Sequence, residues 1–238
     1  MKILAIIPAR GGSKSIPKKN IHSFCGKPLL AYTIETALSC PNVDRVVVSS
    51  DDADIIDVAS EYGAEVPFMR PKDLAKDDTH DLPVFIHCLN YHKIHEGYEP
   101  DIIVHLRPTS PLRTAEMIEE GIQLLIDNTE ADSVRSTSKP SQNPFKMWTI
   151  KDDGFLSQLF NTDIKEPYNQ PRQNLPDVYW QNGYVDVIRR ITIIEKESMT
   201  GDNILPLILD ASEIFDIDDI KTFRLAEKIF MQNSKKIY

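Results

Sequence analysis

Short, unbroken apolar runs recur along this chain, and the stretches between them carry apolar residues at helical spacing. "KILAIIP", "DRVVVSS", "DIIVHL" and "ADSVRSTS" have the continuous hydrophobic character of strands covered on both faces. "AEVPFM" reads as one more short strand. The intervening helices are "PLLAYTIETALSC", with Pro28 suited to its first turn, and "DADIIDVASEYG", closed by Gly63. "HDLPVFIHCLNYHKIHEG" and "TAEMIEEGIQLLIDN" follow, the latter capped by Thr114. Strands alternating with helices require a mostly parallel sheet with helices on both faces, an α/β fold of three layers. Such sheets bind ligands beyond the carboxyl ends of their strands. Two loops sit there: residues 10–20 after the first strand and 107–113 after "DIIVHL".

With 238 residues, 41% of them hydrophobic, the chain can bury one substantial core. No repeat, low-complexity tract or flexible linker divides it, so residues 1–238 are expected to form a single domain. Between about 140 and 176 the pattern breaks, as Pro, Asn and Gln crowd in and the helical period fades. That insertion is expected to be a lid or a dimerisation arm. "DVYWQNGYVDVI" then resumes as a strand around an Asn-Gly turn. "DIDDIKTFRLAEKIFMQ" is a closing helix with Ile220, Phe223, Ala226, Ile229 and Phe230 on one face.

The net charge of -9 and the mixing of signs argue against a nucleic-acid binder, which carries a broad basic footprint. Three cysteines without paired spacing fit a reducing cytosol rather than a disulfide scaffold. The apolar run of "MKILAIIPAR" is too short for a signal peptide, and no segment has the length to cross a bilayer. A cytoplasmic enzyme away from membranes is the expectation.

Against that acidic background, "IIPARGGSKSIPKKNI" concentrates Arg10, Lys14, Lys18 and Lys19 in one loop. Glycines let a backbone approach a ligand and turn its N–H groups inward, and four cations can neutralise a polyphosphate. The loop matches neither the G-x-x-x-x-G-K-[ST] loop nor G-x-G-x-x-G, which disfavours a kinase or a nicotinamide enzyme. An ordinary solvated basic loop is the alternative. His87, Cys88, His92 and His95 lie at roughly helical spacing but lack a closing ligand set, and read as a structural helix face.

Taken together, "IPARGGSKSIPKKNI", "VVVSSDD", "RPTSPLR", "NQPRQNLP", "NGYVDVI" and "FDIDD" resemble, in order, the motifs of the cytidylyltransferases that activate sialic acid and related nine-carbon keto-sugar acids. The resemblance runs from Met1 to about Glu227. It implies a Rossmann-like nucleotidyltransferase fold and a reaction of CTP with a nonulosonic acid, releasing pyrophosphate, in a homodimer. It also implies that Arg10, Ser13, Lys14, Lys19 and Asn20 contact the nucleotide. Arg70 and the segment "KDDTH" would lie beside base and ribose. Asp216 and Asp218 would hold Mg²⁺, which takes carboxylates together with substrate phosphates. In an extended stretch two residues apart they point the same way. The alternative is that Asp218 caps the last helix and Asp216 is solvated. Arg10, Lys19, Asp216 and Asp218 would be the catalytic set.

In the similar enzymes, cations of the inserted segment reach the sugar site of the neighbouring subunit. Here these are Lys146 and Arg172, with Gln170 beside them, and a guanidinium matches a sugar carboxylate bidentately. Ordinary surface positions are the alternative for both cations. Arg107 departs from the family, which typically has Gln at that point of the sugar site. The charge reads either as a sign of a different sugar acid, such as legionaminic acid or another diamino nonulosonate, or as half of a local ion pair that leaves specificity alone. No general base stands out. An enzyme for the eight-carbon acid Kdo is the nearest rival, although such proteins read "ARYxSxRLPGKxL" at the first loop. A catalytically silent nucleotide binder and a hexose-1-phosphate nucleotidyltransferase are the others.

Overall fold

In the computed structural model, which describes residues 1–234, the first strand β1 (Ile3–Pro8) buries all but its last residue. Its side chains alternate between two cores, as the period of a strand requires. Ile3, Ala5 and Ile7 join Leu30, Ile34, Ile55, Ile118 and Ile122, while Leu4 and Ile6 join Val84, Phe85, Leu89 and Ile193. Coverage on both faces is why the run is continuously apolar.

The chain then forms a small hairpin of β2 (Ser23–Phe24) and β3 (Lys27–Pro28), followed by α1 (Leu29–Leu38), β4 (Arg45–Ser49) and α2 (Ala53–Glu61). Helix α3 (Asp81–Glu96), β5 (Ile102–His105), α4 (Ala115–Asp127) and β6 (Ser133–Ser138) continue the alternation. A second hairpin, β7 (Trp148–Ile150) and β8 (Leu156–Gln158), lies in the inserted stretch among short 3-10 turns. Then come β9 (Trp180–Arg189), α5 (Arg190–Ile194), β10 (Ile204–Ile208) and α6 (Ile220–Ser234).

Six strands make the main sheet in the order β10-β6-β9-β5-β1-β4. β1 pairs in parallel with β4 and β5, and β10 with β6, whereas β9 runs antiparallel between β5 and β6. The three layers are therefore those expected: α1, α2 and α4 on one face, α3 and α5 on the other. A third cluster of Ile16, Phe24, Leu29, Tyr32, Ile217, Phe223 and Ala226 ties α6 to the first loop.

Several local expectations change. "AEVPFM" forms only an isolated parallel bridge, Val47 to Glu65. Pro28 belongs to the hairpin ahead of α1 rather than to the helix. Asn182-Gly183 is no hairpin turn, because β9 runs through it. Gly183 has φ 71°, and the β6–β9 register shifts between Arg135 and Thr137. The glycine serves a bulge, which needs the same positive φ as a turn and is indistinguishable from one by composition. On α6, Phe223 and Ala226 are buried but Ile220 is 43% exposed.

Candidate active site

A cleft of about 450 Å³ opens at the carboxyl ends of β1 and β5. After β1 the chain passes to β4 on one side and later to β5 on the other, so this is a topological switch point. Arg10, Ser13, Lys14, Lys19 and Asn20 line it from the first loop; Arg70, Lys76, Asp77 and Thr79 face them, and His105 and Arg107 line it from the end of β5.

Internal contacts hold the first loop open. Asn20 is buried and donates from Nδ2 to the Arg10 carbonyl at 2.9 Å. Gly11 N–H donates to Asp51 at 3.0 Å, and a Cβ on Gly11 would lie 2.6 Å from Asp52 Oδ2. The close approach that demands this glycine is thus to the start of α2. Lys18 pairs with Asp54 and turns away from the cleft wall. Arg10 and Lys14 converge on one carboxylate, Asp77, at 2.7 and 2.5 Å. Lys14 and Arg10 together hold the Asp77 carboxyl below its ordinary range.

Lys19 links the loop to the late acidic motif. Its Nζ donates to the Ile217 carbonyl at 2.9 Å. Burial lowers the Lys19 pKa, and the carboxylates of Asp216 and Asp218 work against that shift. Ile217 is fully buried, and its N–H donates to the Thr109 carbonyl at 3.1 Å, so the acidic motif is pinned to the loop after β5. The helix cap is Asp219, whose Oδ1 accepts from Lys221 and Thr222 N–H at 2.9 and 2.8 Å. Asp218 is therefore released from the capping role. Asp216 Oδ1 is buried without a partner. An orphaned carboxylate oxygen beside a second carboxylate fits a divalent cation. Among the described residues no group of three or more His, Cys, Asp or Glu side chains could hold a metal. Two carboxylates leave coordination positions for phosphate oxygens and water, as Mg²⁺ prefers.

The arginines of the cleft are used differently. Arg70 is buried and spends its donors on Ser49 and, at 3.5 Å, the Leu74 carbonyl, so it anchors the segment that carries Asp77. Arg107 does take a local ion pair: Nη1 lies 2.8 Å from Asp186 and Nη2 lies 3.3 Å from Asp81. Burial works most strongly against its charge, but Asp186, Asp81 and Asp216 together outweigh burial and its pKa rises. Asp186 is fully buried and pairs also with Arg135. The Gly183 bulge turns its carbonyl to within 3.3 Å of Arg107 Nη1. Arg113, the second arginine of "RPTSPLR", is a buried clamp on the Tyr184 and Arg107 carbonyls at 2.5 and 2.7 Å. Burial pushes its pKa down to about 10, so it stays charged at neutral pH.

Sequence reasoning missed Asp81, His105, Arg135 and Asp186. A signal was present: single charged or polar residues interrupt "DIIVHL", "DSVRSTS" and "YVDVI", where both faces are covered. Lys146, Gln170 and Arg172 do not line the cleft of this chain. Gln170 donates to the Lys165 carbonyl and Arg172 to the Pro140 carbonyl, at 3.0 and 2.8 Å. His87, His92 and His95 lie among aromatic rings of α3 and its neighbours, and His92 Nδ1 is 2.8 Å from the Cys88 carbonyl.

Asp216 and Asp218 do not line the cleft itself but are joined to it through Lys19, and a switch-point cleft walled by loop cations suits a nucleotidyltransferase. The chain belongs to the cytidylyltransferase family, whose model matches residues 4–233. It is 35% identical over 240 residues to a CMP-N,N'-diacetyllegionaminic acid synthase of Legionella pneumophila, covering all of both chains. It is 31% identical over 240 residues to a pseudaminic acid cytidylyltransferase of Campylobacter jejuni, again covering all of both chains. An N-acylneuraminate cytidylyltransferase of Escherichia coli is 31% identical over 99% of this chain and 54% of its own length. In fold the chain is similar to CMP:2-keto-3-deoxy-manno-octonic acid synthetase complexed with CTP: TM-score 0.73, 17% identity, covering 98% of this chain and all of that one. No helix among the described residues is long and apolar enough to cross a membrane.

Proposed function

We propose that the protein transfers the cytidylyl group of CTP to a nonulosonic acid, giving the CMP-sugar and pyrophosphate. The observation that carries this reading is the convergence of Arg10, Lys14 and Lys19 on one cleft, with Lys19 bonded to the backbone between Asp216 and Asp218. Full-length relatives named for legionaminic and pseudaminic acids support the acceptor class. Legionaminic acid or a close diamino relative is the acceptor we favour, in keeping with the full-length relative named for it.

In this reading the phosphates of CTP replace Asp77 as the partner of Arg10 and Lys14. Ser13 and Asn20 complete the nucleotide contacts, and Arg70 anchors the wall beside the base. The anomeric hydroxyl of the sugar acid attacks the α-phosphorus, the bond to the bridging oxygen breaks, and pyrophosphate leaves. Lys19 meets the charge that grows on the phosphates, so alignment and electrostatics supply the rate. Asp216 and Asp218 would hold Mg²⁺, which when bound supplies further neutralisation of phosphate charge.

We further propose a cytoplasmic homodimer in which residues 140–176 form the dimerisation arm. Ile150, Phe155 and Leu156 are 76%, 72% and 58% exposed there, and a second copy is the natural cover for them. It would also give Lys146, Gln170 and Arg172 a sugar carboxylate to bind. Pyrophosphate release with Mg²⁺, CTP and N,N'-diacetyllegionaminic, pseudaminic, N-acetylneuraminic acids or Kdo tests the function, with ATP, GTP and UTP as controls. CTP-dependent release with a nonulosonic acid is expected; silence across the panel overturns the reading.

A further inference from the structure

The cations at the mouth of the cleft are already engaged by an anion of the protein. Arg10 Nη1 lies 2.7 Å from Asp77 Oδ1, and Lys14 Nζ lies 2.5 Å from Asp77 Oδ2, so each carboxylate oxygen takes one cation. A phosphate group can present two oxygens to the same pair in the same bridging manner. The stretch that carries Asp77 is lightly held. At its start Arg70 N–H donates to the Ser50 carbonyl at 2.7 Å. Beyond that it closes on itself: Thr79 Oγ1 accepts from Lys76 N–H at 3.1 Å and donates to the Asp73 carbonyl at 3.4 Å. Lys76, Asp77 and Asp78 are exposed. Asp77 ties this stretch to the first loop through side chains that are 35% (Arg10), 78% (Lys14) and 50% (Asp77) exposed. Ion pairs this open are weak and screened by salt.

A group that occupies binding cations part of the time lowers the apparent affinity of every ligand that needs them, in proportion to the time they are taken. Lys19 is half-buried and bonded to the backbone of the acidic motif, which is where the reacting α-phosphate belongs. Arg10 and Lys14 are then left for the two outer phosphates. A triphosphate gains both sets of contacts and displaces Asp77, whereas a single phosphate held at Lys19 does not reach it. We propose that Asp77 is an internal stand-in for the outer phosphates, a specificity-determining residue that competes with CTP and pyrophosphate for Arg10 and Lys14 and pairs with them again as pyrophosphate leaves. The inference rests on the nucleotide-transfer reading above. It goes beyond that reading by making Asp77 the group that weakens polyphosphate binding and eases release of the leaving group.

The test is calorimetry of CTP, pyrophosphate and CMP, each with Mg²⁺, on wild type and Asp77→Asn. The variant should bind CTP and pyrophosphate more tightly by a common factor of about 3- to 10-fold, the range set by two exposed ion pairs, and CMP within about 2-fold of wild type. At steady state KM for CTP should fall and inhibition by pyrophosphate should strengthen by that same factor. In a Lys14→Ala background the substitution should tighten CTP less, because one of the two contested cations is gone. A second measurement needs no variant: pyrophosphate added to wild type should speed hydrogen exchange of the amides of residues 73–79, as the tie to the first loop opens. Unchanged or weaker binding of CTP and pyrophosphate by Asp77→Asn, equal tightening of CMP, or slower exchange at 73–79 with pyrophosphate overturns the proposal. Wild type that binds neither CTP nor pyrophosphate is a different result, and overturns the nucleotide-transfer reading itself.

Discussion

Replacing Asp186 by Ala should destabilise the protein mainly by leaving charge unpaired, and the size of the effect can be estimated. Asp186 is fully buried, and Arg135 is only 6% exposed. Without Asp186, the guanidinium of Arg135 loses its carboxylate partner, while Arg107 keeps the contacts of 3.3 Å to Asp81 and to the Gly183 carbonyl. Breaking a buried pair in this way costs about 3–5 kcal/mol. For a chain of this size each kcal/mol moves the melting midpoint by about 2–4 °C, so the expected fall is roughly 6–20 °C. Urea denaturation of wild type and variant gives the free-energy difference directly. Cavity formation alone predicts a loss too, so the decisive double variant adds Arg135→Met to Asp186→Leu, which removes the charge and its partner together. Buried ion pairs exchanged for apolar groups of similar volume are often neutral or better, so most of the loss should be recovered. A single-variant loss below about 1 kcal/mol, or a further loss on adding Arg135→Met, would refute the charge argument.

Other outcomes follow from contacts elsewhere in the fold. The Asp132 carboxyl is held at about 2, against an ordinary 3.8, chiefly by Lys196 and also by the N–H groups of Asn203 and Asp202. A depressed carboxyl stabilises above its unfolded pKa, so this contribution is present above about pH 4 and lost as pH falls toward 2. Allowing for the half-exposed Lys196, Asp132→Asn should cost about 1–2 kcal/mol at pH 7 and little at pH 2, measured by denaturation at both. Gly11→Ala places a Cβ 2.8 Å from Asp52 Cβ, so the first loop must move. Its KM for CTP should rise about tenfold while the Asp52 cap costs about 1 kcal/mol at most; an unchanged KM would show that the loop tolerates the shift. Lys14→Ala removes one exposed cation from the cleft and should raise KM for CTP by about 10-fold or more with kcat nearly constant. A fall in kcat at constant KM would assign Lys14 a different role.

The layers of this fold were legible because the signal is dense. Runs such as "KILAIIP" and "DRVVVSS" leave few alternatives to a strand covered on both faces, and helices of the right length separate them. The place of the cleft followed from strand order logic, and three cations of the first loop, Arg10, Lys14 and Lys19, proved to line it. What was illegible depends on partners distant in sequence. The role of Arg107 is set by Asp186, 79 residues away, and that of Arg113 by Tyr184, 71 residues away. Asn182-Gly183 reads as a turn locally, and only its neighbours β5 and β6 make it a bulge in a continuous strand. Asp219 takes the cap rather than Asp218 because α6 begins at Ile220, a one-residue distinction finer than any periodicity can draw.

The central claim is that the cytidylyl group itself is transferred, and its most direct test follows the α-phosphorus. Purified protein would be incubated with CTP labelled at the α-phosphate, Mg²⁺ and N,N'-diacetyllegionaminic acid, and the products separated and weighed by mass spectrometry. The account predicts label in a species with the mass of CMP joined to the sugar acid, in one-to-one yield with pyrophosphate, and its loss in Asp216→Ala. Label remaining in CTP, or appearing as free CMP or CDP with the sugar acid unmodified, would contradict it.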